Sequence, residues 1–259
     1  MNPVIAGAIS AAVAALGWRL RALTTNGAIA ATLVGTSVLA FTGWPGLAVL
    51  GTFFVGSTAV SRLARLAGLG DSNSEPIEKE TRDHLQVLAN GGPALLGAAG
   101  DLAVPGLGLW LVSISLAAAA SDTWATAFGR LSRKGPVDLS TLRPVSPGTS
   151  GGVTWIGTIG GLFGAAIVGL VAGSVSHRWS TYAAATLIGF GSMVVDSLLG
   201  SRLQGRFRCP TCGTQTEQRT HSCGTRTALE RGLGWLDDNG VNALTTSLAT
   251  VAGLIAWWR

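Results

Sequence analysis

Eight apolar stretches separated by polar breaks order this chain, at 3–18, 26–43, 44–61, 84–100, 104–128, 152–175, 180–200 and 239–258. Most come close to the roughly twenty residues that a helix needs to cross a bilayer. The pattern predicts an all-α fold, a polytopic transmembrane bundle of roughly seven to nine helices, with residues 1–259 forming a single integral membrane domain. The first stretch is short, and the fourth is interrupted by Asn90-Gly91-Gly92-Pro93, so an irregular helix is expected there. The 37 glycines fall partly into small-residue faces such as Gly157-x-x-Gly160-Gly161-x-x-Gly164 and Gly97-x-x-Gly100. In lipid, where no hydrophobic effect drives helices together, such faces let backbones approach closely.

Charge then gives the bundle a direction. Of the 18 Lys and Arg residues, 16 fall in the gaps after the first, third, fifth and seventh stretches, leaving only Arg178 and Arg259 elsewhere. Positive charge is retained on the cytoplasmic side, which predicts four cytoplasmic loops and both termini outside. The start Met-Asn-Pro-Val-Ile carries no charged leader, while Arg19 and Arg21 follow the first apolar run, as suits a first helix inserted N-terminus out. Charged residues are 12% of the chain, against about 25% in soluble domains. The basic pI follows from the loop bias, and no aromatic-basic surface or binding module points to a nucleic-acid partner.

With that orientation, the second, fourth, sixth and eighth stretches enter from the cytoplasm on similar polar signals. These are Thr25-Asn26-Gly27, Asn90-Gly91-Gly92, Thr149-Ser150-Gly151-Gly152 and Asp238-Asn239-Gly240, with Asn242 just behind the last. Helix starts carry unpaired N–H groups and about half a positive charge, so four at one face suit an anion such as phosphate; capping alone is the plainer reading of any one of them. Asp122 and Asp196 lie near the cytoplasmic ends of the fifth and seventh stretches, each in an apolar run followed by Asp-Ser/Thr, a Gly and an Arg, with Ser197 next to the second. The shared pattern suggests an internal repeat of helix pairs. Acids inside spans are rare and functional by default, and two carboxylates with nucleotide phosphates would hold Mg²⁺; an ion pair with Arg130 or Arg202 is the structural alternative.

Two loops add candidates. Lys79, Arg82, Gln86 and Asn90 are spaced to share one helical face, and a Lys-Arg pair followed by amides suits a phosphate chain. The run Arg143 to Gly152, containing Ser146, Gly148, Thr149, Ser150, Gly151 and Gly152, reads as a phosphate-cradling turn, although no Walker motif is present. The long loop 201–237 carries Cys209-Pro-Thr-Cys212-Gly and His221-Ser-Cys223-Gly, the donors for a structural Zn²⁺ knuckle. Three cysteines in a cytoplasmic loop argue against disulfides and leave zinc, reduced thiols or a redox role.

The strings RDHLQVLANGG, ASDTWATAFGR, SPGTSGGVTWIGTIGGLFGA, VDSLLGS and LDDNGVNALTT resemble the domain-of-unknown-function family numbered 92. That family includes the transmembrane protein 19 group and the phytyl-phosphate kinases of plants and cyanobacteria. The resemblance spans nearly the whole chain. It implies a kinase that converts an isoprenoid monophosphate, such as phytyl or geranylgeranyl phosphate, to the diphosphate, with CTP as the favoured nucleotide. Asp122, Asp196, Lys79 and Arg82 would then be catalytic. A small-molecule or ion transporter is the competing expectation, because broken helices and buried charges suit it too.

Overall fold

A computed structural model describes residues 1–67 and 81–259. Helix α1 (Pro3–Arg19) is opened by the Asn2 side chain, which accepts from the Val4 N–H, and by a proline in its first turn. The second and third apolar stretches join as α2 (Thr25–Leu66), broken at Gly43, whose φ of 67° and ψ of −159° no side chain readily adopts; Pro45 follows. The two halves double back. Thr24 donates its N–H to the Arg82 carbonyl at 3.0 Å, while the Arg82 guanidinium lies 5.3 Å from the Phe53 ring. A straight helix would separate positions 24 and 53 by about 43 Å.

The remaining helices are α3 (His84–Ala98), α4 (Leu107–Gly129), α5 (Trp155–Ser176), α6 (Trp179–Arg202) and α7 (Asp238–Trp257). The irregularity expected in the fourth stretch is present: α3 contains Pro93 and tightens into a 3₁₀ turn at Ala99–Leu102. Asn90 and Gly91, however, do not open a helix. Asp83 and Gln86 form a capping box that starts α3 at His84, so Asn90 and Gly91 sit almost two turns inside it.

Helix α4 forms the axis of the bundle, buried without a break from Trp110 to Ser121 and packed on α2, α3, α5, α6 and α7. Small residues permit this. A Cβ on Gly164 would stand 2.7 Å from the Ala120 carbonyl oxygen, and one on Gly161 would stand 3.1 Å from that of Ser121, so α5 lies backbone to backbone on α4. The opposite face of α5 shows Trp155, Phe163 and Leu170 to the surroundings, as a lipid-facing helix should. On α3, Gly97 meets Leu111, and Trp110 Nε1–H donates to the Gly253 carbonyl of α7 at 2.8 Å.

These contacts fix directions. The first half of α2, with α3, α5 and α7, starts at one end of the bundle; α1, the second half of α2, α4 and α6 finish there. At that end the loops of this mostly helical chain also carry short strands. Strands β1 (Val137–Asp138) and β2 (Gly152–Val153) pair antiparallel, and β3 (Arg206–Arg208), β4 (Gln215–Thr216) and β5 (Ala228–Arg231) form a sheet of order β4-β3-β5. At the opposite end the links are short: Gly43, residues 103–106, and His177-Arg178.

Candidate functional site

The four helix starts do gather at one end, but other residues cap them. Thr24, Asp83, Thr154 and Asp237 accept from the N–H groups of Gly27, Gln86, Gly157 and Gly240 at 2.9–3.0 Å. Each start thus satisfies one of its own orphan donors, and two do so with carboxylates, which lessens the pull on an external anion. Asn26 and Asn239 lie in the first turns of α2 and α7.

Asp122 and Asp196 lie toward the same end of the bundle, within about one helical turn of each other in depth. Gly189 of α6 packs on Ala117 of α4, and both helices run the same way. Five residues carry α4 to Asp122 and seven carry α6 to Asp196, rises of about 7.5 and 10.5 Å. Leu111 packs on α3, and Asp122, eleven residues or about three turns later, shares its face. Since α3 runs opposite to α4, the contact of Gly97 with Leu111 puts Gln86 level with Asp122. On the other side, Thr245 of α7 donates its hydroxyl to Asp196 Oδ1 at 3.1 Å, and the adjacent Thr246 donates to the Ala89 carbonyl at 2.8 Å. Asp238 is a further electrostatic neighbour of Asp196. One layer therefore holds Gln86 and Asn90 of α3, Asp122, Asp196, and Asn242 through Thr246 at the start of α7.

Beside this layer lies a polar knot. Asp138, 2% exposed, accepts at Oδ1 from the N–H groups of Ser140 and Thr141, both at 2.9 Å, and from their hydroxyls. Its Oδ2 accepts from Ser201 at 2.7 Å, at the end of α6, and lies 3.8 Å from Arg206 Nη2. Burial alone would raise this carboxyl, but the bonds from Ser201, Ser140 and Thr141 outweigh it and hold Asp138 well below the usual carboxylate range. Arg206 Nη2 also donates to the Ser150 carbonyl at 2.6 Å. Glu217 accepts from the Ser150 N–H at 3.0 Å and from its hydroxyl, and its other oxygen accepts from Gln204 Nε2 at 2.9 Å. The expected phosphate-cradling turn is thus largely engaged within the protein: the Thr149, Ser150 and Gly152 N–H groups donate to Ser146 O, Glu217 and Thr149 O. Gly151 has φ 78°, and a Cβ there would stand 2.6 Å from the Ser197 carbonyl, which seats the turn on α6 one residue from Asp196.

Cys209, Cys212, His221 and Cys223 converge, their ligand atoms all within 4.8 Å of one another. Cys209 Sγ and Cys223 Sγ are 3.6 Å apart, His221 Nδ1 is 3.0 Å from Cys223 Sγ, and the Cys212 N–H points at Cys209 Sγ at 3.5 Å. The Thr225 hydroxyl and then His221 pull the exposed Cys223 thiol down to about 5, while its hydrogen bond with Cys223 pushes Cys212 up to about 11.

A family model described as "Integral membrane protein DUF92" matches residues 8–250. The chain belongs to the DUF92 family of integral membrane proteins. It is 32% identical over 183 residues to an uncharacterized membrane protein of Methanocaldococcus jannaschii, covering 70% of this chain and 74% of that one. An uncharacterized membrane protein of Synechocystis is 30% identical over 222 residues, 80% and 81% of the two chains. Protein PGR of Arabidopsis thaliana is 26% identical over 288 residues, 97% and 96% of the two. No solved structure matches.

Within this DUF92 chain, the expected basic stripe is not one helical face. Arg82 precedes α3, bridging to Leu23 and resting its guanidinium over Phe53 and Phe54, and Lys79 lies outside the described residues. Gln86 returns its side-chain oxygen to the Asp83 N–H at 3.3 Å, and Asn90 Nδ2–H donates to the Gln86 carbonyl. Ser146 and Gly148 are exposed at the tip of their loop. Sequence reading missed Asp138, Ser201, Arg206, Glu217 and Thr245. The Asp138-x-Ser140-Thr141 run carries an Asx-turn signature that marks the first of these; the others have no local signal.

Proposed function

We propose that this DUF92 protein is a membrane kinase that transfers a phosphoryl group from a nucleotide, CTP foremost, to an isoprenoid monophosphate such as phytyl or geranylgeranyl phosphate. The observation that supports the reading is that Asp122 and Asp196 lie toward the same end of the bundle within about one helical turn in depth, Gln86 level with the first and Thr245 bonded to the second. Two interior carboxylates at one end of an apolar bundle suit a lipid whose tail lies among helices while its phosphate sits at the interface. Asp122 and Asp196 would hold Mg²⁺, which neutralises phosphate charge when bound. Gln86 and Asn90, in the same layer on α3, would meet the phosphates, and the Ser146–Gly152 turn would border them.

An oxygen of the acceptor monophosphate attacks the γ-phosphorus, the bond from that phosphorus to the β,γ-bridging oxygen breaks, and a nucleoside diphosphate leaves. The acceptor is already ionised, so positioning and charge stabilisation suffice and no strong base is needed. Positive-inside bias puts this end in the cytoplasm and both termini outside. Transport would need a polar route to the other end, yet α4 carries no charged residue before Asp122 and presents a continuous buried surface from Trp110 to Ser121.

The test is purified protein in detergent with labelled CTP or ATP and prenyl monophosphates of several lengths. The expected product is the prenyl diphosphate. Folded protein that forms none with any tail overturns the proposal.

A further inference from the structure

The geometry points to a closed, structural Zn²⁺ centre at Cys209, Cys212, His221 and Cys223 that positions the Ser150 turn through Arg206 and Glu217. Zn–S bonds of about 2.3 Å in a tetrahedron put sulfurs about 3.8 Å apart and a sulfur and a nitrogen about 3.5 Å apart. The spacings found, 3.6 Å for Cys209–Cys223 and 3.0 Å for His221–Cys223, surround a volume of that size. Two turns deliver the ligands: the Gly213 N–H closes on the Cys209 carbonyl at 2.9 Å, and the Gly224 N–H closes on that of His221 at 2.9 Å. A bond from the Cys212 N–H to the Cys209 sulfur supports the first thiolate from the backbone. Four protein donors leave no open position, so the ion is structural. The anionic Cys₃His centre sits in a lobe carrying Arg208, Arg219 and Arg226.

What the ion fixes follows from sequence order. Arg206 stands three residues before Cys209, and Glu217 lies between the ligand pairs, five residues after Cys212 and four before His221. They leave the first turn on β3 and β4, which pair only at Phe207↔Thr216 and Arg208↔Gln215. So short a ladder does not hold its register alone. Both residues grip the same partner: Arg206 donates to the Ser150 carbonyl at 2.6 Å, and Glu217 accepts from the Ser150 N–H at 3.0 Å. Gly151, next in the chain, rests on the Ser197 carbonyl beside Asp196. Zinc thereby sets the spacing of a two-sided clamp on a turn that packs against the carboxylate-bearing helix.

The test reads metal and backbone exchange rather than activity, so it stands apart from the kinase reading. Elemental analysis of protein purified without added metal should give about one zinc per chain. Cobalt exchange should give the thiolate charge-transfer and intense visible bands of a tetrahedral site. Chelation should speed hydrogen exchange at 146–153 by about tenfold or more and leave α4 and α5 unchanged. Glu217→Gln should speed exchange in the same turn while keeping the zinc, which separates the clamp from general loss of the lobe. Zinc well below one per chain with freely reactive thiols overturns the centre. Unchanged exchange at 146–153, on full chelation or in Glu217→Gln, overturns the positioning role.

Discussion

The Ser201 hydroxyl, at the last turn of α6, donates to Asp138 Oδ2 at 2.7 Å across 63 positions of sequence. This bond fastens the loop after α4 to the end of a helix that carries Asp196. A hydrogen bond to a charged group contributes about 1.5–3 kcal/mol, so Ser201→Ala should lower the melting temperature in detergent at neutral pH. Asp138 is depressed in the folded state, so its contribution is complete above the unfolded value of about 4 and is lost as pH falls below it. The gap between wild type and Ser201→Ala should accordingly persist at a pH of about 4 and close only at still lower pH, as the folded-state carboxyl takes up its proton; equal melting at pH 7 counts against the bond.

Asp122→Asn and Asp196→Asn should each lower turnover by about 100-fold or more while melting stays near wild type. Steady-state assays at limiting Mg²⁺ check this, and near-normal turnover in either variant removes that residue from the metal site.

Much of this arrangement was legible in the chain because its cause is local. Apolar runs and the Arg-rich gaps placed the helices and gathered their starts at one end, and Cys209, Cys212, His221 and Cys223 announced themselves by residue type. Helix starts were read less well. Asn90-Gly91 looks like a boundary, but the capping box at Asp83 and Gln86 begins α3 earlier, and the tertiary contact of Gly91 with Val34 accounts for that glycine instead. The clamp of Arg206 and Glu217 on Ser150 joins residues 56 and 67 positions apart. No short-range pattern encodes such a pairing.

Metal-free protein should show sharply unequal thiols. With Cys223 at about 5 and Cys212 at about 11, iodoacetamide should modify Cys223 at pH 6.5 near its plateau rate while Cys212 stays inert until far more alkaline pH. Peptide mapping after brief alkylation decides it, and equal labelling of the two contradicts the assignment.

Gly151→Ala should destabilise the turn despite adding a single methyl. At φ 78° the backbone strain is about 1–2 kcal/mol, and the new carbon would press on the Ser197 carbonyl. Lower melting with faster exchange at 146–153 is expected; wild-type behaviour of both would show that the turn accommodates the methyl.

Orientation is checked with cysteines introduced at Lys134 and Ala103, both exposed and at opposite ends of the bundle. An impermeant maleimide on intact cells should modify position 103 alone, with 134 modified only after the membrane is opened. The reverse would invert the assignment of faces.

Among the described residues the links at one end are all short: Gly43 turns α2 back, residues 103–106 lead into α4, and His177-Arg178 joins α5 to α6. Little chain among those residues projects beyond the helix ends there. On the proposed reaction, a lipid acceptor meeting Asp122 and Asp196 would have to lie in the leaflet bordering their end of the bundle.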